Sequence, residues 1–251
     1  MLNKHFKNPE ELCEKLMPDF RSDKGFNKYE FMRGFGMYRP GRGSWATFEE
    51  LKEKDIWGKT DRIYKKYKSR WKGPDIPVNI FPMDLSNERL MNEGRGKSGV
   101  SFRDSLFLFL TPIEDEKQLE ALFIHEYHHV CRLQAQKKSI RDNTLLDSIV
   151  LEGLAEHIVE LEIGRENGAQ WCDRYSEEQL LPYWKQSISK NLEVKKHEPL
   201  HDKILFGIGR YPTLLGYAAG YDLIRKYKQK KKLTIKDSID LPAVTFREFV
   251  P

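Results

Sequence analysis

No run of about eighteen consecutive apolar residues occurs in the chain, so no helix is expected to span a membrane. The opening stretch, MLNKHFKNPEELCEK, has no apolar segment of the kind a secretory signal requires, and none is expected. Cysteine is scarce. Cys13, Cys131 and Cys172 are scattered, odd in number and form no C-x-x-C pair. That excludes a disulfide framework and reads as reduced thiols of a cytoplasmic protein. Excess charge is small as well: 43 Lys and Arg against 38 Asp and Glu leave +5. Over this length that gives no argument for nucleic acid. No internal repeat or low-complexity segment stands out. What remains, 39% hydrophobic and 32% charged over 251 residues, is an ordinary folded composition. It is long enough for one catalytic domain with a helical extension.

The sequence divides near Gly73-Pro74. Residues 1–73 read as a helical region packed on a catalytic domain of residues 74–251. Asn8-Pro9-Glu10-Glu11 marks a helix start, with Asn8 as N-cap and Pro9 at the first position. Residues 25–43, with several glycines and aromatics, are expected to be irregular. Thr47 and Glu50 match a capping box for a helix that ends near Gly58. A third helix is expected from Asp61 to Trp71, with Ile63, Tyr64, Tyr67 and Trp71 on one face and Lys65, Lys66, Lys68 and Arg70 on the other. An RNA-binding surface could mix aromatic and basic residues in this way. The aromatics stand at core spacing, however, which favours an amphipathic helix with solvated lysines.

Val78-Asn79-Ile80-Phe81 reads as a strand, and Val100–Leu110 (VSFRDSLFLFL) as one or two more. Gly94, Gly96 and Gly99 match G-x-G-x-x-G, but they follow a polar turn and open a strand. A dinucleotide site needs the reverse order, so that reading is rejected. Met91 stands where a P-loop needs its first glycine.

The central stretch, Glu116–Lys138, carries His125, Glu126 and His129 as H-E-x-x-H. Leu119, Leu122, Phe123, Val130 and Leu133 recur at helical spacing, so the two histidines, four apart, point the same way. Two imidazoles so placed can share a zinc ion, and Glu126 can reach a water beside it. A polar loop, Ser139–Asn143, precedes a second helix capped by Thr144 and Asp147 and ended by Gly164. Ser176 and Gln179 start a further helix, bent at Pro182. Residues 193–206 read as a polar connection, and a last helix runs from Thr213 into the lysines at 228–232.

Catalytic zinc takes three protein ligands and keeps a position for water. His129 lies about eight residues, roughly 12 Å, before the loop, and Glu152 about the same distance after it. Helices joined by so short a loop are antiparallel neighbours. Glu152 is then level with His129, and Glu156 with His125. The simplest assignment makes Glu152 the third ligand and Glu156 the acceptor that fixes the tautomer of His125.

H-E-x-x-H followed by E-x-x-x-[DE] resembles the gluzincin arrangement of thermolysin-like metallopeptidases. IHEYHHVCR, LLDSIVLEGLAEH and GYAAGYDLI are together similar to the YjaZ-type family of predicted zinc-dependent proteases, over roughly residues 75–240. The resemblance implies an α+β, zincin-like fold, mostly helical, with a small sheet before the active-site helix. It implies Zn²⁺ held by His125, His129 and Glu152, with Glu126 as base. The substrate would be a peptide or protein; neither nucleic acid nor a membrane is expected as partner, and nothing in the pattern sets an oligomeric state. Tyr217 is the first choice for stabilising the oxyanion, ahead of Tyr221, Arg210, Tyr211, His197 and His201. The strand around Val100–Leu110 could offer an open edge to an extended peptide.

His197-Glu198-Pro199-Leu200-His201 repeats H-E-x-x-H, but Pro199 and the lack of an amphipathic pattern argue for coincidence. Glu126-x-x-His129 with Glu198-x-x-His201 also has di-iron spacing, which needs four inward-facing helices. A catalytically silent zincin-like module that binds peptides or a regulatory partner is the alternative to a peptidase.

Overall fold

The computed structural model describes residues 2–18, 20, 26–138 and 142–251. It is a mostly helical α+β structure with one three-stranded sheet. The chain gathers into two units, one of Met1–Lys66 with Asp75–Phe123, the other of Tyr67–Pro74 with Ile124–Pro251.

The first unit begins with α1 (Leu2–His5), α2 (Pro9–Leu16), α3 (Lys28–Gly34), α4 (Arg42–Glu53) and most of α5 (Ile56–Trp71). Two expectations fail here. Residues 28–34 are helical, started by Asn27, whose side chain accepts from the Glu30 N–H at 3.0 Å. Thr47 caps nothing: α4 starts at Arg42, and the Thr47 hydroxyl donates back to the Gly43 carbonyl at 3.1 Å. S/T-x-x-E caps a helix only where the Ser or Thr backbone is extended, and at Thr47 it is helical. Helix α5 also starts one turn earlier than Asp61. Ile63, Tyr67 and Trp71 are buried, while Lys65, Lys66 and Arg70 are exposed.

The sheet is made of β1 (Val78–Pro82), β2 (Lys97–Ser101) and β3 (Leu106–Leu110), with the short α6 (Glu88–Glu93) before β2. Its order is β1-β3-β2, with β1 parallel and β2 antiparallel to β3. Because β3 is in the middle, both its faces and both its edges are covered, and Leu-Phe-Leu-Phe-Leu is buried throughout. Leu106–Leu110 therefore cannot accept a peptide as a further strand; among the described strands β1 and β2 are at the edges. Gly96 opens β2 at φ +71°, and a Cβ there would lie 2.3 Å from the Thr111 hydroxyl. The glycines of 94–99 thus serve strand entry. Helix α7 (Glu116–Gln136) belongs to this unit up to Phe123.

The second unit starts with the rest of α7 and continues with α8 (Leu145–Ile163). Residues 139–141 of the expected loop lie outside the described residues. Thr144 and Asp147 form the full capping box, and Gly164 follows at φ +95°. Short 3-10 turns at Arg165–Asn167 and Gln170–Asp173 lead to α9 (Glu177–Tyr183), which Ser176 and Gln179 cap reciprocally. Pro182 sits inside α9, and the next turn, Trp184–Ile188, widens to π geometry. Residues 199–206 are not a connection but α10 (Pro199–Phe206). Pro199 is at its first position, where no N–H is needed, so the proline that argued against a helix starts one. Helix α11 (Leu215–Lys230) is followed by α12 (Ile235–Asp240) and a 3-10 segment, Ala243–Phe249.

Helix α8 is almost all buried because α11 lies directly against it. Ile149, Val150, Leu154, Leu215, Ala218, Ala219 and Leu223 share one apolar core. On α7, His128, Arg132 and Gln136 hold α12. His128 Nε2 is 3.0 Å from the Ser238 hydroxyl, Arg132 donates to the Ser238 carbonyl at 2.8 Å, and Gln136 donates to the Ile239 and Asp240 carbonyls. A buried guanidinium at a helix C-terminus satisfies carbonyls that have no partner within the helix.

Candidate metal centre

Helix α7 presents His125 and His129 one turn apart, their ring centroids 4.4 Å from each other. Helix α8 returns alongside it, so Glu152 meets both histidines and Glu156 meets His125 only. His125 Nε2 is 3.2 Å and His129 Nε2 3.4 Å from the same atom, Glu152 Oε2. On the other side of the ring, His125 Nδ1 lies 2.7 Å from Glu156 Oε1. One ligand atom each from His125, His129 and Glu152 lies within 4.8 Å of the others, the one such metal-binding group among the described residues.

Electrostatics make this an unusual place for four polar groups. Burial raises the carboxyls of Glu152 and Glu156, but the adjacent imidazoles outweigh it and hold both below the usual carboxylate range. For His125, burial works against the charge, and the hydrogen bonds and charges of Glu152 and Glu156 overcome it. A positive charge is wanted here.

The donor set fits a tetrahedral metal ion. An ionised Glu156 can only accept, so Nδ1 of His125 carries a proton. With its pKa raised, His125 holds a second proton on Nε2, facing Glu152, and a metal ion held there would take that proton's place. Bonds of about 2.0–2.1 Å place tetrahedral ligand atoms about 3.3–3.4 Å apart; the two histidine–glutamate separations are 3.2 and 3.4 Å, and all three atoms lie within 4.8 Å.

Glu126, next to His125 on α7, is buried. Tyr217 is brought to the cluster by α11. Its phenol is raised well above the ordinary value, first by burial, then by the charges of Glu152 and Glu126 and its hydrogen bond to Glu152. Its ring packs edge-on against Trp171 at 5.2 Å and lies tilted against Phe206 at 5.9 Å. The other candidate donors are engaged elsewhere. Tyr221 donates to Glu160, and Arg210 donates to the buried Tyr211. His201 is fully buried between the Ser148 hydroxyl at 2.9 Å and Asp202 at 2.8 Å, and His197 is exposed. With His201 so occupied, neither the second H-E-x-x-H nor the di-iron spacing assembles a metal-binding group among the described residues.

Sequence reasoning missed the groups that hold Glu156. Its Oε2 accepts from the Ala169 backbone N–H at 2.8 Å and lies 3.6 Å from the Cys172 thiol. A backbone donor from a 3-10 turn leaves no mark in residue spacing.

The chain belongs to the family described as "Predicted Zn-dependent protease (DUF2268)", whose model matches residues 56–248. It is 39% identical over 211 residues to "Uncharacterized protein YjaZ" of Bacillus subtilis (strain 168), covering 84% of this chain and 81% of that protein. It is 26% identical over 137 residues to "Uncharacterized protein YjfC" of the same organism, covering 51% of this chain and 46% of that relative. No solved structure matches the chain.

Proposed function

From membership of that family, we propose that the chain is a zincin-like zinc peptidase whose metal is held by His125, His129 and Glu152. The observation that carries this reading is the convergence of two imidazole nitrogens, at 3.2 and 3.4 Å, on one carboxylate oxygen of Glu152. Glu156 keeps the tautomer of His125 that leaves Nε2 free to bind. Zinc held there would lower the pKa of a water toward about 7 and polarise the carbonyl to be attacked. Glu126, as general base, would take a proton from the attacking water and pass it to the departing amine. The Tyr217 phenol stays protonated at neutral pH, because burial and two carboxylates oppose its ionisation. It can therefore donate to the oxygen on which charge develops.

The Glu126→Gln variant tests the reading. Wild-type protein should contain about one zinc per chain and cut members of a peptide library, with cutting abolished by a chelator. Glu126→Gln should hold the same zinc and cut nothing. A zinc-loaded wild type that cuts no peptide would sink the peptidase and leave a peptide-binding module; a Glu126→Gln variant that cuts normally would sink the assigned base.

A further inference from the structure

Glu156 is held from three directions. Oε1 accepts from His125 Nδ1 at 2.7 Å, Oε2 accepts from the Ala169 N–H at 2.8 Å, and the Cys172 thiol points to Oε2 at 3.6 Å. The residue is 5% exposed, so little water competes for these oxygens. The Ala169 and Cys172 donors come from the residue before the Gln170–Asp173 turn and from within it. Trp171 of the same turn is buried and packs on Tyr217.

A carboxylate held only by His125 could rotate about its last bond and leave the imidazole proton free to move to Nε2. With Oε2 occupied, Oε1 faces His125 and has no other donor among the described residues. We infer that Ala169 and Cys172 are positioning residues: they fix Glu156, so that Glu156 fixes the His125 proton on Nδ1 and the Nε2 lone pair toward the metal. The inference rests on the metal reading given above. It extends the control of His125 to a turn that lies outside both the H-E-x-x-H and E-x-x-x-E segments.

The backbone supplies a clean test. Ala169 has φ −68° and Gly168 has φ −67° and ψ 165°, the conformations that proline and the residue before it adopt. Ala169→Pro therefore fits the backbone, removes the N–H and puts a ring CH2 where its hydrogen met Oε2, so the carboxylate must move. Cys172→Ala removes the thiol donor, and Cys172→Ser returns a donor. The measurements are zinc Kd by competition with a chromophoric chelator and imidazole ¹⁵N shifts of His125 in the metal-free full chain at a pH where the ring is neutral. Ala169→Pro should weaken zinc binding by up to roughly 10–100-fold, the effect of losing Glu156 as the outer partner of His125. Cys172→Ala should weaken it less, Cys172→Ser should recover toward wild type, and the His125 shifts should move toward the Nε2–H tautomer in the first two.

Wild-type affinity and unchanged His125 shifts in both Ala169→Pro and Cys172→Ala would overturn the inference. If Ala169→Pro does not fold, the Cys172 pair and its ¹⁵N shifts decide. If the wild-type chain takes up no zinc, the metal reading fails, and the ¹⁵N shifts alone still decide whether the turn sets the tautomer.

Discussion

Gly153 of α8 and Gly220 of α11 touch backbone to backbone. A Cβ on Gly153 would lie 2.2 Å from the Gly220 carbonyl oxygen, and one on Gly220 would lie 2.1 Å from the Ile149 carbonyl oxygen. The approach is what carries Tyr217, one turn before Gly220, to Glu152, which precedes Gly153.

Alanine at either glycine should destabilise the protein even though it favours the helix. Helix propensity gains about 1 kcal/mol, whereas overpacking a close contact costs typically about 1–3 kcal/mol and more where backbone must move. Gly153→Ala and Gly220→Ala should each lower the urea midpoint. A rise in midpoint for both would show that the helices part without cost.

Tyr217→Phe keeps the ring that packs on Trp171 and Phe206 and removes only the hydroxyl. Loss of one oxyanion donor lowers kcat by roughly 10²–10³-fold. Zinc content should stay at the wild-type level, because His125, His129 and Glu152, the proposed ligands, are untouched. Unchanged kcat would make Tyr217 a packing residue.

Removing the metal should lower stability by an amount set by ligand excess, about 4 kcal/mol at a thousandfold over Kd. Thermal unfolding with and without chelator measures it. Glu152→Ala should abolish the chelator effect; a chelator shift that persists in this variant would place the metal elsewhere.

Glu160 gives a pH dependence that needs no metal. Its carboxyl is lowered to about 2, chiefly by the imidazole of His157, 3.2 Å away, with help from Lys228 and Tyr221. A folded-state pKa below the ordinary 4.5 means that the group stabilises the fold above about pH 4.5. That contribution disappears as pH falls toward about 2. Glu160→Gln should therefore be less stable than wild type at pH 5, and the difference should close by about pH 2. Urea midpoints across that range test it, and a gap that does not narrow would remove Glu160 from the account.

The legible parts of the chain are those where one local pattern has one outcome. The box at Thr144 and Asp147 fixed a helix start, and period-four histidines inside an apolar repeat fixed which way His125 and His129 point. The same pattern at Thr47 and Glu50 misled, because a Thr inside a helix, here five residues after Arg42, satisfies it equally well. Pro199 misled in the opposite direction: a proline breaks a helix interior but opens a first turn, and only the extended backbone of Glu198 separates the two cases.

By itself, then, the sequence determined the two α-helices of the centre, their shared short connection and the side chains that can meet across it, since 3.6-residue periodicity and chain length allow little else. Tertiary structure decided the rest. Which phenol comes to Glu152 depends on a glycine pair 67 positions apart in numbering, Gly153 and Gly220. Which donors hold Glu156 depends on a backbone N–H at Ala169, and every residue except proline carries one.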